Sequence, residues 1–381
     1  MKDQYIKIAN ISEEGRSGGP QLRIALIARS LKSKGVDTTI IISRYSAERI
    51  LDVLRKNNIP FKAFSLHRLQ RGVLPLLRYS FLFLPELVRL SKSIRLGHFD
   101  VVHANSWRQF KPVLAGKMAG VKVLWHLNAI DQSPVIKFFI FLVSKFCVDG
   151  FIFSGERVKQ CFLPRLSSLE LPFEVIRPPV DTTRFNPETV QPAKDIEAYS
   201  GIKVVAVSSV NVRKGIEYFI EMVRLLNQKF DFITFILVGP TDRNPVYFSK
   251  MMSLKKKYKL QNLIFHGPSE DVPAVLKAAD IFVCPSISES GPMSVWEAMS
   301  MAKPVVTTDV GDVTNFIESG INGYVVPIRD GKALSESVEY FINFKDHREQ
   351  LAKNARLTAM SFLDAEVGAE LHKQIYKRVL S

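Results

Sequence analysis

Short runs of β-branched residues alternate with longer amphipathic stretches along almost the whole chain, the order expected of βαβ units built around parallel sheets. In the first half the pattern predicts strands at IKIANI (6–11), TTIIIS (38–43), VVHA (101–104), KVLWH (122–126) and FIFS (151–154), with helices between them. The segment RPPVDTTRFNPE (177–188) interrupts this rhythm with prolines and turn formers, and polar residues continue to about Ser200. The alternation then restarts with VVAVSS (204–209), TFILVG (234–239), LIFHG (263–267), IFVCPS (281–286), VVTTD (305–309) and YVVP (324–327). The last stretch, 348–378, predicts one or two long helices. The pattern therefore divides the α/β chain into two Rossmann-like domains with parallel sheets, residues 1–181 and 182–360. A closing helix, 361–381, is expected to pack back on the first domain. Strand C-terminal ends of two such units face a deep cleft, where open α/β sheets bind ligands.

Length agrees with this division, since 381 residues exceed one typical core. Cys147, Cys161 and Cys284 are an odd, scattered set without CxxC spacing, which argues against a disulfide framework or a zinc site and for a reducing, cytoplasmic setting. The start MKDQYIKIANISEEG has no signal-peptide pattern and reads as a first strand. Apolar runs such as FFIFLV (138–143) fall short of the roughly 20 residues that a membrane-spanning helix needs.

Charge separates the halves more sharply. Residues 1–190 hold 29 Lys and Arg against 15 Asp and Glu (29 − 15 = +14), and residues 191–381 hold 23 against 22 (+1). The basic excess thus sits in the first domain, and within it residues 66–99 mix Leu and Phe with Arg68, Arg71, Arg78, Arg89, Lys92 and Arg95, with Glu86 the only acid. Such a stretch suits an anionic membrane surface, each cation contributing on the order of 1 kcal/mol. Core-packed helices with snorkelling basic side chains are the plain alternative. VIKFFIFLVSKF (135–146) could add to that surface, although a buried helix is the favoured reading. Nucleic acid is disfavoured as the partner, because no zinc spacing, RNP-like strand or helix-turn-helix pattern accompanies the charge.

Candidate chemistry lies mainly in the second half. SSVNVRKG (208–215) leaves a strand and enters a helix with Arg213 and Lys214 at the turn, and cations beside a helix N-terminus suit a diphosphate. An ordinary solvated loop is the simpler reading of that piece alone. SESGPMSVWEAM (288–299) places Glu289 before a helix start and Glu297 inside it. Pro292 fits the first turn, so free amides are expected near Met293 and Ser294. A carboxylate in so apolar a helix requires partners, either sugar hydroxyls or a structural arginine. Two carboxylates also fit glycoside hydrolysis, but a hydrolase needs no diphosphate site. In the first half, SGGPQ (17–21) allows close backbone approach to a ligand, and His103 and His126 end predicted strands.

Taken together, GGP (18–20), DVVHANS (100–106), WHLN (125–128), RPPVDTTRF (177–185), VSSVNVRKG (207–215), LVGP (237–240), FHGPSEDVPAVLKAADIFVCPS (265–286), SESGPMSVWEAMSMAKPVVTTDVGDV (288–313) and GINGYVVP (320–327) resemble the family-four retaining glycosyltransferases of the GT-B fold. The likeness covers most of the chain and is more specific in the second half. It implies a hexosyltransferase-type enzyme that moves a sugar from a nucleotide-sugar, UDP- or GDP-linked, with retention and without a metal or other cofactor. The acceptor it implies is a glycan or lipid-linked sugar in surface polysaccharide or lipopolysaccharide assembly, at the inner face of the cytoplasmic membrane. A sugar-nucleotide epimerase or hydrolase and a non-catalytic sugar-binding protein share the cleft as alternatives.

By matching positions, the resemblance implies catalytic roles for His126, Arg213, Lys214 and Glu289. Donor contacts fall to Gly18, Gly19, Ser209, Gly239, Gly267, Gly291, Met293, Ser294 and Glu297, with Glu289 on sugar hydroxyls and Glu297 on the ribose. Acceptor contacts fall to His103, Asn105 and Asn128. Three departures stand out. Ser208 and Ser209 replace the usual Gly-Arg, Asn105 replaces the second His of a frequent His-x-His pattern, and Ser290-Gly291-Pro292 replaces Gly-Phe-Gly.

Overall fold

The computed structural model describes residues 5–16, 18–70, 72–130 and 133–381; Ser17 of the glycine loop and Arg71 of the basic stretch lie outside these. It resolves into two compact units, Met1–Pro178 with Ala365–Ser381, and Pro179–Asp364. The first limit falls three residues before the one drawn from sequence, for a local reason. Val180 N–H donates to the Leu363 carbonyl at 2.8 Å, and the Thr182 hydroxyl donates to Asp364, which ties 180–182 to 363–364 within the second unit.

The first unit contains a seven-stranded parallel sheet made of β1 (Ile6–Ser12), β2 (Val36–Ser43), β3 (Phe61–Phe64), β4 (Val101–Asn105), β5 (Lys122–Leu127), β6 (Gly150–Phe153) and β7 (Phe173–Val175). Its order is β3-β2-β1-β4-β5-β6-β7. The second unit holds β8 (Ile202–Val207), β9 (Ile233–Val238), β10 (Leu263–Gly267), β11 (Ile281–Cys284), β12 (Val305–Thr308) and β13 (Tyr324–Val326), ordered β10-β9-β8-β11-β12-β13. Both sheets are doubly wound from a central first strand. Each therefore has a switch point, beside β1 and β4 in one and β8 and β11 in the other.

Central strands β4 and β11 are buried on both faces; β11 (IFVC) therefore reads as a continuous apolar run, whereas β4 (VVHAN) also buries the polar side chains of His103 and Asn105. The sequence pattern missed β3 and β7. Each is a short edge strand, half exposed, and neither carries a run long enough to signal itself. One further expectation is met and another is corrected. The 348–378 stretch forms helix Lys345–Thr358, a wide turn at 359–363, and helix Ala365–Leu380, which covers one face of the first sheet through Ile375, Tyr376 and Val379. Helix Pro134–Cys147, expected to be buried, exposes Val135, Phe138, Phe139, Leu142 and Phe146, and buries only Ile140 and Ser144. Its apolar residues outnumber the positions facing the sheet, so the surplus points outward.

Candidate active site

The second unit gathers its predicted residues at its switch point. After β8 the chain makes a tight turn, Val212–Lys214, closed by the Asn211 side chain accepting the Arg213 N–H at 3.1 Å. Arg213 and Lys214 thus precede the helix, which begins only after Gly215 at Ile216–Leu226. Gly215 has φ +60°, and a Cβ there would stand 2.2 Å from the Pro285 carbonyl oxygen, so only glycine lets this turn lie against the β11 loop. The Arg213 carbonyl accepts from the Ile287 amide at 2.8 Å, joining the two loops. Across that junction Lys214 Nζ donates to the Glu289 carboxylate, which also accepts from the Ser286 hydroxyl at 3.0 Å. Two residues that lie 75 positions apart are brought into one ion pair, with Arg213 on the same turn.

The helix Met293–Ser300 starts beside this pair. Pro292, at φ −78° and ψ 83°, is the centre of an inverse γ-turn. The Met293 amide consequently donates to the Gly291 carbonyl at 3.0 Å, which corrects the expectation that it is free. Glu297 is half-buried on this helix. Burial pushes its carboxyl up to about 7, and Arg184 opposes that shift. Gly239 and Gly267 close β9 and β10, and the Gly239 N–H donates to the Gly267 carbonyl at 2.8 Å. Gly239, at φ +152°, is pressed against Ser208, where a Cβ would lie 2.1 Å from the carbonyl oxygen. The Ser209 hydroxyl is engaged by Asn211 Nδ2 at 2.9 Å.

The first unit organises its histidines around a residue that the sequence reading missed. Arg23, on helix Gly19–Lys32, is buried and donates from Nη1 to His126 Nε2 and from Nη2 to Asn105 Oδ1, both at 2.8 Å. Burial lowers its guanidinium to about 10, so it stays protonated at neutral pH. A guanidinium cannot accept, which makes His126 Nε2 the acceptor and leaves the proton on Nδ1. That proton points to His103 Nε2 at 3.2 Å, and His103 Nδ1 in turn lies 2.8 Å from the Tyr376 hydroxyl. One fixed cation thereby sets the tautomers along a chain that ends on the last helix. Burial, with Arg23 adding repulsion, holds His103 and His126 well below the ordinary histidine range.

Ring nitrogens of His103, His126 and His372 lie within 4.8 Å of one another. The His126 Nε2 lone pair is taken by Arg23 and His372 Nδ1 faces the Gly368 carbonyl at 2.7 Å, so the group fits a hydrogen-bonded core better than a cation site. Both ring nitrogens of His126 have partners inside this unit. Reaching a ligand, as the resemblance implies, requires Arg23 to release one. Asn105 is buried beneath Arg23, while Asn128 stands half-buried just beyond β5. Gly18 caps helix Gly19–Lys32, and a Cβ there meets nothing nearer than 3.5 Å, so packing does not demand glycine at that position. Arg23 had one legible sign: it sits four residues before Ile27 on the apolar face that also carries Ile24, Ala28 and Leu31.

Two doubly wound sheets, each with its candidate residues at the switch point, define the GT-B class of glycosyltransferase folds. Residues 17–184 match the glycosyltransferase family 4 domain and residues 192–358 the glycosyl transferases group 1 domain, and the chain belongs to the glycosyltransferases that carry this pair. It is 29% identical over 215 residues to the putative colanic acid biosynthesis glycosyltransferase WcaL of Escherichia coli, covering 52% of this chain and 50% of that protein. It is 30% identical over 179 residues to the N,N'-diacetylbacillosaminyl-diphospho-undecaprenol alpha-1,3-N-acetylgalactosaminyltransferase of Campylobacter jejuni, covering 46% and 45%. The chain thus spans about half the length of these curated relatives. A glycosyltransferase from Rickettsia africae shares the fold with a TM-score of 0.83 at 20% identity, over 99% of both chains. Anabaena HepE in complex with UDP and glucose does so with a TM-score of 0.82 at 19% identity, over 97% of this chain and 98% of that one.

Proposed function

We propose that the chain is a retaining glycosyltransferase that moves a sugar from a UDP- or GDP-sugar to a glycan or lipid-linked acceptor in surface polysaccharide or lipopolysaccharide assembly. The observation that carries this reading is the Lys214–Glu289 pair at the β8/β11 switch point, with Arg213 on the same turn. Negative charge grows on the departing diphosphate as the glycosidic bond breaks, so a cation fixed beforehand stabilises the transition state more than the ground state. Lys214 and Arg213 supply the positive charge that a divalent ion supplies elsewhere, which favours a metal-independent reaction. Glu289, held by Lys214 and Ser286, has its remaining lone pairs for sugar hydroxyls and is oriented as a receptor rather than as a nucleophile. Glu297 takes the ribose diol in this reading, which its position one helical turn beyond Met293 supports. Relatives named for transfer to diphospho-undecaprenol sugars support the acceptor class.

A panel of UDP- and GDP-sugars, with and without membrane lipid extract, tests the reading through nucleotide release. Release that depends on the extract marks a transferase, and release without it a hydrolase. If no donor binds or turns over, the reading fails.

The same proposal places the enzyme on the anionic inner face of the cytoplasmic membrane. Helix Val73–Leu96 carries Leu74, Leu77, Phe81, Leu84 and Val88 as one solvent-facing stripe at helical spacing, with Phe81 85% exposed. Arg78, Arg89, Lys92 and Arg95 accompany it on the same helix. No helix among the described residues is long and apolar enough to cross a membrane. Such a helix lies in an interface and does not span it. Flotation should carry the protein up with vesicles containing phosphatidylglycerol and much less with neutral ones. Exchanging Leu74, Leu77 and Phe81 for serine should abolish it, and equal absence from both vesicle types would count against the membrane face.

A further inference from the structure

Arg23 is a buried cation without a counter-ion. Its hydrogen-bond partners among the described residues, His126 and Asn105, are both neutral. Burial pushes the Tyr376 hydroxyl far up, so this nearby group stays uncharged as well. No carboxylate meets the guanidinium among the described residues. Lys111, also buried, shows the usual arrangement, with Glu86 2.5 Å and Glu13 3.3 Å from its Nζ. Buried charges in folded proteins are paired, and one left alone is costly, so the missing partner of Arg23 points to an anion from outside the chain. Access favours Arg23 over its neighbour. It is 4% exposed, and its Nε has no partner among the described residues yet is not one of the sealed polar atoms such as the Glu13 carboxylate oxygens. His126 is 0% exposed, and both of its ring nitrogens are engaged.

The two acceptors that hold the guanidinium are themselves fixed. His126 is held through His103 at 3.2 Å, and His103 through the Tyr376 hydroxyl at 2.8 Å. Asn105 Nδ2 donates to Asn10 Oδ1. A planar fork bound at Nη1 and Nη2 to two fixed atoms has its remaining edge aimed in advance. The start of helix Gly19–Lys32 adds to the same demand, because a helical side chain leans back towards the N-terminus and Arg23 lies only one turn in. Gly18 provides no capping side chain there, and the first turn holds no acid, so the positive end of the helix dipole also stands unanswered. A Cβ on Gly18 would meet nothing nearer than 3.5 Å, which leaves that flank unfilled by packing.

We infer that Arg23, and not His126, is the group that the first unit offers to substrate at its switch point, and that it receives an oxyanion, phosphate or carboxylate. His126 and Asn105 are positioning residues that aim its guanidinium, and His103 and Tyr376 hold His126. Contact through His126 instead would cost Arg23 one of its two bonds and leave the buried cation still less satisfied. Asn105 also gains a task. Its amide oxygen accepts at any pH, whereas an imidazole in its place would repel Arg23 whenever it took up a proton. The inference rests on the transferase reading only for the reaction that the bound oxyanion enters.

The Arg23 Nε–H resonance of the full chain, labelled with 15N on its arginine side chains and assigned by its loss in Arg23→Lys, tests this without turnover. The probes are inorganic pyrophosphate and glucuronate, with glucose as the neutral control. At least one anion should shift the resonance saturably and glucose should not; the anion that acts tells a diphosphate source from a carboxylate one. Asn105→Asp neutralises the guanidinium in place and should weaken that probe about 10- to 100-fold, the range for a hydrogen bond to a charged group, while the persisting resonance reports a folded site. His126→Ala should weaken it as well, and His126→Gln, which still offers Arg23 an acceptor, should restore most of the affinity. No saturable shift with either anion, an equal shift with glucose, undiminished binding in Asn105→Asp, or equal loss in both His126 variants would overturn the assignment. Nucleotide release is read separately: its absence beside a saturable shift counts against the transferase reading and leaves the role of Arg23 standing.

Discussion

Lys214→Ala is expected to lower kcat by about 10²- to 10³-fold, the typical cost of removing one preorganised group from developing negative charge. The loss should fall on kcat more than on KM, because the charge Lys214 answers grows only as the bond to the leaving phosphate breaks. Folding should be nearly unaffected. The side chains of Lys214 and Glu289 are 22% and 16% exposed, so water reaches the carboxylate that the variant leaves behind. Lys214→Arg should recover only part of the rate, since Glu289 is met by a single Nζ and a planar guanidinium fork does not reproduce that point charge. Nucleotide release under single-turnover conditions checks this. A variant within threefold of the parent rate would mean that Lys214 only anchors Glu289, and the diphosphate would have to be sought at Arg213.

Much of this was legible because the signals were local. β-branched runs marked the central strands, and the RPPV segment marked the linker. The adjacency of Arg213 and Lys214 to a strand end anticipated where the cations stand, though not that Gly215 separates them from the helix. What stayed hidden depends on distant pairing. β3 and β7 exist because a neighbouring strand offers an edge, which four- and three-residue segments do not announce. Pro292 suggested a helix start, but only its ψ of 83° reveals that the next amide is consumed by Gly291.

The histidines illustrate the same limit on the other side. His103 and His126 were visible as strand-end residues, but burial keeps them neutral and their tautomers are set by Arg23, which lies 103 positions from His126. The basic stretch showed Glu86 as a lone acid among cations. Its meaning came only from the partner, because Lys111 on helix Phe110–Ala119 is itself fully buried and reaches back to it. A single opposite charge in a basic helix was a usable sign of burial that composition alone could not interpret.

The largest expected effect on stability follows from that partner. Lys111→Met should destabilise the first unit by about 3–5 kcal/mol, the cost of stranding a buried charge by removing its counter-ion. Burial alone would raise the Glu86 carboxyl, but the hydrogen bonds from Lys111 and His67 outweigh it and hold the group below the ordinary carboxylate range. In the parent protein Glu86 therefore contributes stability that is present above its unfolded value and is lost as pH falls. Without Lys111 its sign reverses. The folded-state value then lies above the unfolded one, so stability is retained in acid and declines as pH rises through the interval between them. The deficit measured by urea unfolding should accordingly be largest near pH 7–8 and shrink towards pH 4. Lys111→Met with Glu86→Gln should regain a large part of it, since no charge is then left unmatched. A deficit that stays the same at every pH and survives in the double variant would trace the loss to packing, for Lys111 Nζ also sits 4.4 Å from the centre of the Tyr79 ring.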